Sequence, residues 1–243
     1  MKKFNRNDAF SMEIKDPDNI EEISKIVDTF VIDDNLFFFK TKNIFKILTA
    51  DTIDPNCEYT QTGHSYEKIA NIGTESEYVA RVIIQTQRLL SFISETKDKK
   101  EKVLSEVWKL NQSLLNCRSV ILDLEYAYNI LIPQCDDIIE RNKMSGLIPA
   151  LPKISDLDSK ARVFLTNAKL FLIDIFKFIS EFYPISINDR NESHFNKHVD
   201  SLVQLLGKEH DVCKLLTEDL SWIRLISECR NAIEHSGEGQ NLT

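Results

Sequence analysis

Apolar residues recur at helical spacing over most of the chain. Thr74-Glu75-Ser76-Glu77 sets a hydroxyl three residues before a glutamate, the spacing of a capping box, and predicts a helix start. Tyr78, Val79, Val82, Ile83, Leu89, Leu90 and Ile93 form its buried stripe, up to a charged break at Lys97 to Lys100. A longer helix carries Val103, Leu104, Val107, Leu110, Leu114, Cys117, Ile121, Leu124, Tyr128 and Leu131, until Pro133 removes a backbone donor and predicts a kink or an end. These two helices are expected to pack antiparallel. Residues 144–157, with Gly146, Pro149 and Pro152, read as a loop whose Leu147, Ile148 and Leu151 predict packing over a bundle. A wide stripe from Ala161 to Phe182, stopped by Pro184, predicts the most buried helix. Asp189 and Glu192 mark another start, and Val199, Leu202, Leu205 and Leu206 lead to Gly207 as a C-cap. The last helix is expected from about Asp211 to His235, with Ser236-Gly237 ending it.

The first 60 or so residues are less regular. Ile20 to Phe30 reads as a short amphipathic helix, and Thr29 to Ile32 and Leu36 to Phe39, around Asp33-Asp34-Asn35, as the arms of a hairpin. Asp51 to Gly73 reads as an irregular connection. The expectation is therefore an all-α protein, an up-and-down helical bundle over 74–243, with a hairpin-bearing or irregular segment 1–73 appended.

Composition narrows the classes. Only six glycines and six prolines in 243 residues leave few turn formers for a sandwich or barrel. With 30 basic against 38 acidic residues the formal charge is −8, which argues against a surface that grips nucleic acid everywhere, while a local site remains open. Five widely spaced cysteines without a C-x-x-C pair suggest neither a disulfide framework nor a zinc ribbon. Polar residues follow Met1-Lys2-Lys3, and the most apolar run, Phe164 to Ile179, is broken by Asn167, Lys169, Asp174 and Lys177, so neither a signal peptide nor a membrane span is expected. The expected setting is the cytoplasm.

Glu228-Cys229-Arg230-Asn231-Ala232-Ile233-Glu234-His235 crowds five polar or charged residues into the end of a helix otherwise built for packing. Asn231 and His235 fall one turn apart, as do Arg230 and Glu234, and the macrodipole at a C-terminus favours the imidazolium form of His235. A planar guanidinium can hold two phosphate oxygens and stabilise developing charge, and an imidazole can move a proton. That suits a phosphodiester whose nucleophile is already on the substrate, as the 2′-hydroxyl of RNA is. Spacing alone also allows a surface ion pair with His235 as a capping cation.

Arg230-Asn231-Ala232-Ile233-Glu234-His235 resembles the R-x4-6-H motif of HEPN domains, including the Asn that commonly follows the arginine. The resemblance implies a helical domain that dimerises and joins two motifs in one cleft, in many members a metal-independent endoribonuclease without cofactor, acting as a toxin or antiviral-defence effector. It implies Arg230 on the scissile phosphate, His235 as acid/base and Asn231 orienting phosphate or partner. Glu234, outside the family's core motif, is expected only to orient Arg230. RNA, a second copy and a nucleotidyltransferase-type antitoxin are the implied partners. Dimerisation also meets a geometric need, because Arg230 and His235 are about 140° apart on one helix. Other members of the superfamily are non-catalytic docking or nucleotide-binding modules, the alternative reading.

The remaining signals are weaker. His194, His198, His210 and Cys213 make a poor zinc set, and no metal is expected. Trp108, Trp222 and the phenylalanines are assigned to the core. Lys97, Lys99, Lys100 and Lys102, and Lys40, Lys42 and Lys46, read as solvated faces rather than an RNA track.

Overall fold

A computed structural model describes residues 25–234, apart from 60, 94, 95, 145 and 148. The chain divides into two compact units, Met1–Asn111 and Gln112–Thr243, the boundary falling within one long helix.

The first unit overturns the all-α expectation. Strands β1 (Ile26–Ile32), β2 (Asn35–Lys40), β3 (Ile44–Leu48) and β4 (Ser65–Ala70) form an antiparallel sheet in the order β1-β2-β3-β4, with a four-residue helix α1 (Ala50–Ile53) before β4. The arrangement is mixed α/β. The expected hairpin forms, Phe30 pairing with Phe37 and Ile32 with Asn35. Asp33 and Asp34 both take positive φ (49° and 60°), the backbone of a two-residue turn whose twist suits the strands. Residues 26–30, assigned above to a helix, are strand, and the rest of that stretch from Ile20 lies outside the described residues. The supposed connection 51–73 contains β4, whose lone alternation is too weak to read but is fixed by pairing with β3.

Leu36-Phe37-Phe38-Phe39 is apolar on both faces of the sheet. On one, Trp108 lies 4.7 Å from the Phe37 ring and 5.8 Å from that of Phe39. On the other, Phe45 and Ile47 are buried with Leu36 and Phe38 against them. Ser105 donates to Asp33 Oδ2 (2.9 Å), tying the turn to the same helix as Trp108. Lys40, assigned above to a solvated face, is buried with its Nζ 5.7 Å from the Phe45 ring centre.

The helix expected after residue 74 begins at Glu77, as α2 (Glu77–Val79), a π turn (Ala80–Ile84) and α3 (Gln85–Ile93). Its cap is Ser76, because the N–H groups of Thr74 and Glu75 donate to the Lys40 and Thr41 carbonyls at 3.0 Å each. Buried Asn111 donates to the Tyr78 carbonyl just before the π turn (2.6 Å). Gly73 permits the close approach to strand β2: an added Cβ would sit 2.3 Å from the Lys40 carbonyl oxygen and 2.5 Å from that of Thr41. Gly73→Ala is therefore expected to destabilise the protein by about 2 kcal/mol in urea unfolding, since backbone rather than a side-chain tip must give way.

Helix α4 (Lys97–Asn142) runs through Pro133, which neither ends it nor shortens it. Pro133 is exposed, so the carbonyl it leaves unbonded can be hydrated. In the second unit, α5 (Leu157–Ser180), α6 (Phe195–Leu206) and α7 (Asp211–Glu234) bury Leu172, Ile173, Phe176, Phe195, Val199, Leu202, Cys213, Leu216 and Ile223 together. Gly207 caps α6 at φ 88°, as expected. The start of α6 is later than expected: Asn188 Oδ1 accepts from the Arg190 N–H (3.0 Å) and Asn191 Oδ1 from that of Asn188 (2.7 Å), and these local bonds hold 188–191 in turns. Leu147 is 75% and Leu151 38% exposed, so the loop is not packed as expected, and Ile148 lies outside the described residues. Trp222 is 45% exposed, against its core assignment.

His198, one of the histidines weighed above as a zinc set, is buried, its Nε2 2.9 Å from the Asn191 carbonyl and its ring 5.7 Å from that of Phe176. Burial pushes its pKa below the ordinary 6.5. Because the unfolded state then binds the proton more readily, this residue's share of stability is complete above about pH 6.5 and is lost as pH falls through the folded value. Urea unfolding across pH 5 to 8 is expected to show that slope in the wild type and a shallower one in His198→Gln.

Candidate functional site

The polar end of α7 lies on its buried face. Ser227, Arg230 and Glu234 fall within about 40° of Ile223, which is 2% exposed, and Asn231 within about 80°. The face that is apolar at Cys213, Leu216 and Ile223 thus turns polar one turn further on. At this end Arg230 Nη1 forms an ion pair with Glu234, and the two side chains are 27% and 36% exposed. Arg230 Nε and Ser227 Oγ are both shut off from solvent with no hydrogen-bond partner among the described residues. His235 follows the last residue of α7 and lies outside the described residues.

Opposite, α5 contributes Lys169, whose Nζ donates to Asn231 Oδ1 (3.0 Å). Burial holds the Lys169 pKa below its ordinary value, with the nearby Arg230 charge acting in the same direction and Glu234 and Glu192 opposing. Glu192 itself is bonded to Lys177 at 2.7 Å. Two cations, Lys169 and Arg230, thus share one ion-paired carboxylate, Glu234, in a half-buried corner. That surplus of positive charge is suited to an anion.

Lys169 was legible in the sequence only as an interruption of an apolar run. Its position supplied the missing signal: it falls about 60° from Leu172 and one turn before Ile173, inside the buried stripe of α5, where an ammonium needs a partner. The metal question yields no cluster: among the described residues no three His, Cys, Asp or Glu side chains could hold an ion, and His198 is turned to a backbone carbonyl.

No helix of the described residues is long and apolar enough to cross a membrane. Compared with protein-family models, curated proteins and solved structures, the chain matches none.

Proposed function

We propose that the second unit is a metal-independent endoribonuclease of the HEPN type, working in the cytoplasm as a toxin or antiviral-defence effector, with Arg230 and His235 as its catalytic pair. The observation that carries this reading is the Lys169–Arg230 pair, two cations against one carboxylate beside the motif. Arg230 holds the scissile phosphate and stabilises its developing charge; Asn231, fixed by Lys169, orients phosphate or partner; Glu234 orients the guanidinium. His235 takes the proton of the 2′-hydroxyl as that oxygen bonds to phosphorus, the bond from phosphorus to the 5′-oxygen breaks, and a second histidine protonates the leaving oxygen. The products are a 2′,3′-cyclic phosphate and a 5′-hydroxyl. The second histidine comes from another copy, and Leu215, Trp222 and Leu225 offer exposed apolar surface on α7 of the sort a dimer buries. A nucleotidyltransferase-type antitoxin is the regulator this reading anticipates.

The test is incubation of pure protein with tRNA, mRNA and rRNA in EDTA, followed by end-group analysis. Cyclic-phosphate ends are expected; intact RNA under all conditions overturns the reading. A non-catalytic interaction or nucleotide-binding module is the second reading, favoured by the Arg230–Glu234 ion pair, which already occupies part of the guanidinium. On it, Arg230→Ala lowers the melting temperature or dimer affinity and alters no RNA.

A further inference from the structure

A cavity of about 260 Å³ opens where the start of α6 faces α7, lined among others by His194, Asn196, Lys197, Arg224, Ser227 and Glu228. Two features give it a chemistry. The N–H groups of Phe195 and Asn196 have no acceptor among the described residues, and His194, at the cap position, makes no side-chain capping bond. Arg224 gives its Nε–H to Asn196 Oδ1 (2.7 Å), which fixes the guanidinium at the rim instead of letting it pair with Glu228 one turn on. Ser227 belongs to the lining, although its Oγ is closed to solvent and has no hydrogen-bond partner among the described residues. Arg224, Lys197 and the helix start attract an anion, while Glu228 offsets part of that charge and supplies an acceptor.

Ser227 also links this cavity to the motif. It lies one turn, about 6 Å, before Asn231 on the same side of α7, so one polar stripe leads from the cavity to Arg230 and Glu234. We infer that the cavity is a second subsite of the site proposed above, taking a neighbouring phosphodiester of an RNA strand, and the inference rests on that ribonuclease reading for its substrate class. The backbone N–H groups, Arg224 and Lys197 receive the phosphate, and Glu228 accepts from the adjoining ribose 2′-hydroxyl. A singly charged diester with a hydroxyl beside it fits this lining better than free dianionic phosphate, which Glu228 repels.

Binding of a labelled RNA oligonucleotide and its DNA counterpart, followed by fluorescence anisotropy in EDTA across a salt series, tests this on the full-length His235→Ala protein. Adding Lys197→Gln and Arg224→Gln is expected to weaken RNA binding about tenfold and to reduce the slope of log affinity against log salt by about 0.7, one phosphate's share on a single strand. Glu228→Gln is expected to narrow the preference for RNA over DNA. Lys197→Gln alone changes only an exposed side chain and is expected to act in the same direction, which separates a lost contact from lost folding. Affinity and slope unchanged in the double variant overturn the subsite, as does a parent protein that binds neither oligonucleotide. RNA left intact by wild type in EDTA, with the salt-slope change still present, overturns the ribonuclease reading and leaves the phosphate subsite standing.

Discussion

His235→Ala is expected to lower RNA cleavage in EDTA by about 100-fold or more, the usual contribution of a positioned acid or base. Arg230→Ala is expected to fall by a similar factor, because a donor aimed at developing phosphate charge acts mainly in the transition state. Arg230→Lys is the informative companion. Lysine keeps the charge but loses the planar fork, so a partial rescue points to charge and none to bidentate geometry. Cleavage by wild type is also expected to vary with pH near neutrality as a histidine changes protonation; a rate flat from pH 5 to 9 counts against His235. Arg230→Ala leaves Glu234 in a half-buried corner without its partner, so its melting temperature is measured alongside, and loss of cleavage in a variant that still melts cooperatively is the result that supports catalysis.

Phe176→Ala is expected to produce the largest loss of stability, about 3–5 kcal/mol in urea unfolding. Phe176 is fully buried, its ring 5.3 Å from that of Phe195 and 5.7 Å from that of His198, so truncation removes transfer energy and opens a cavity among α5, α6 and α7. A loss below about 1 kcal/mol would show that the neighbouring side chains collapse into the space. Phe176→Leu, which keeps most of the volume, is expected to recover much of the difference.

The residues that carry both effects were visible to different degrees. Helical periodicity showed α4, α5, α6 and α7, because each is long enough for a repeating apolar stripe, and local chemistry showed the C-cap of α6 at Gly207; the end of α4 was misread at Pro133. The Arg230–Glu234 pairing was equally legible, since a spacing of four on a helix sets both on one side. The hairpin too could be read, from two apolar runs meeting at Asp33-Asp34.

The sheet as a whole could not. Strands β3 and β4 are short, and β4 shows no burial pattern of its own; what makes it a strand is the edge of β3 beside it, a partner distant in sequence. Local hydrogen bonds at Asn188 and Asn191 moved the start of α6, and contact with strand β2 moved that of α2. The company of Arg230 was likewise decided in three dimensions. Sequence fixes which residues stand one turn apart on α7, a property of helix geometry alone, whereas Lys169 is 62 positions from Asn231 and meets it only because α5 and α7 pack together. A lysine set in an apolar stripe announces that it needs a partner; only packing between helices determines which one.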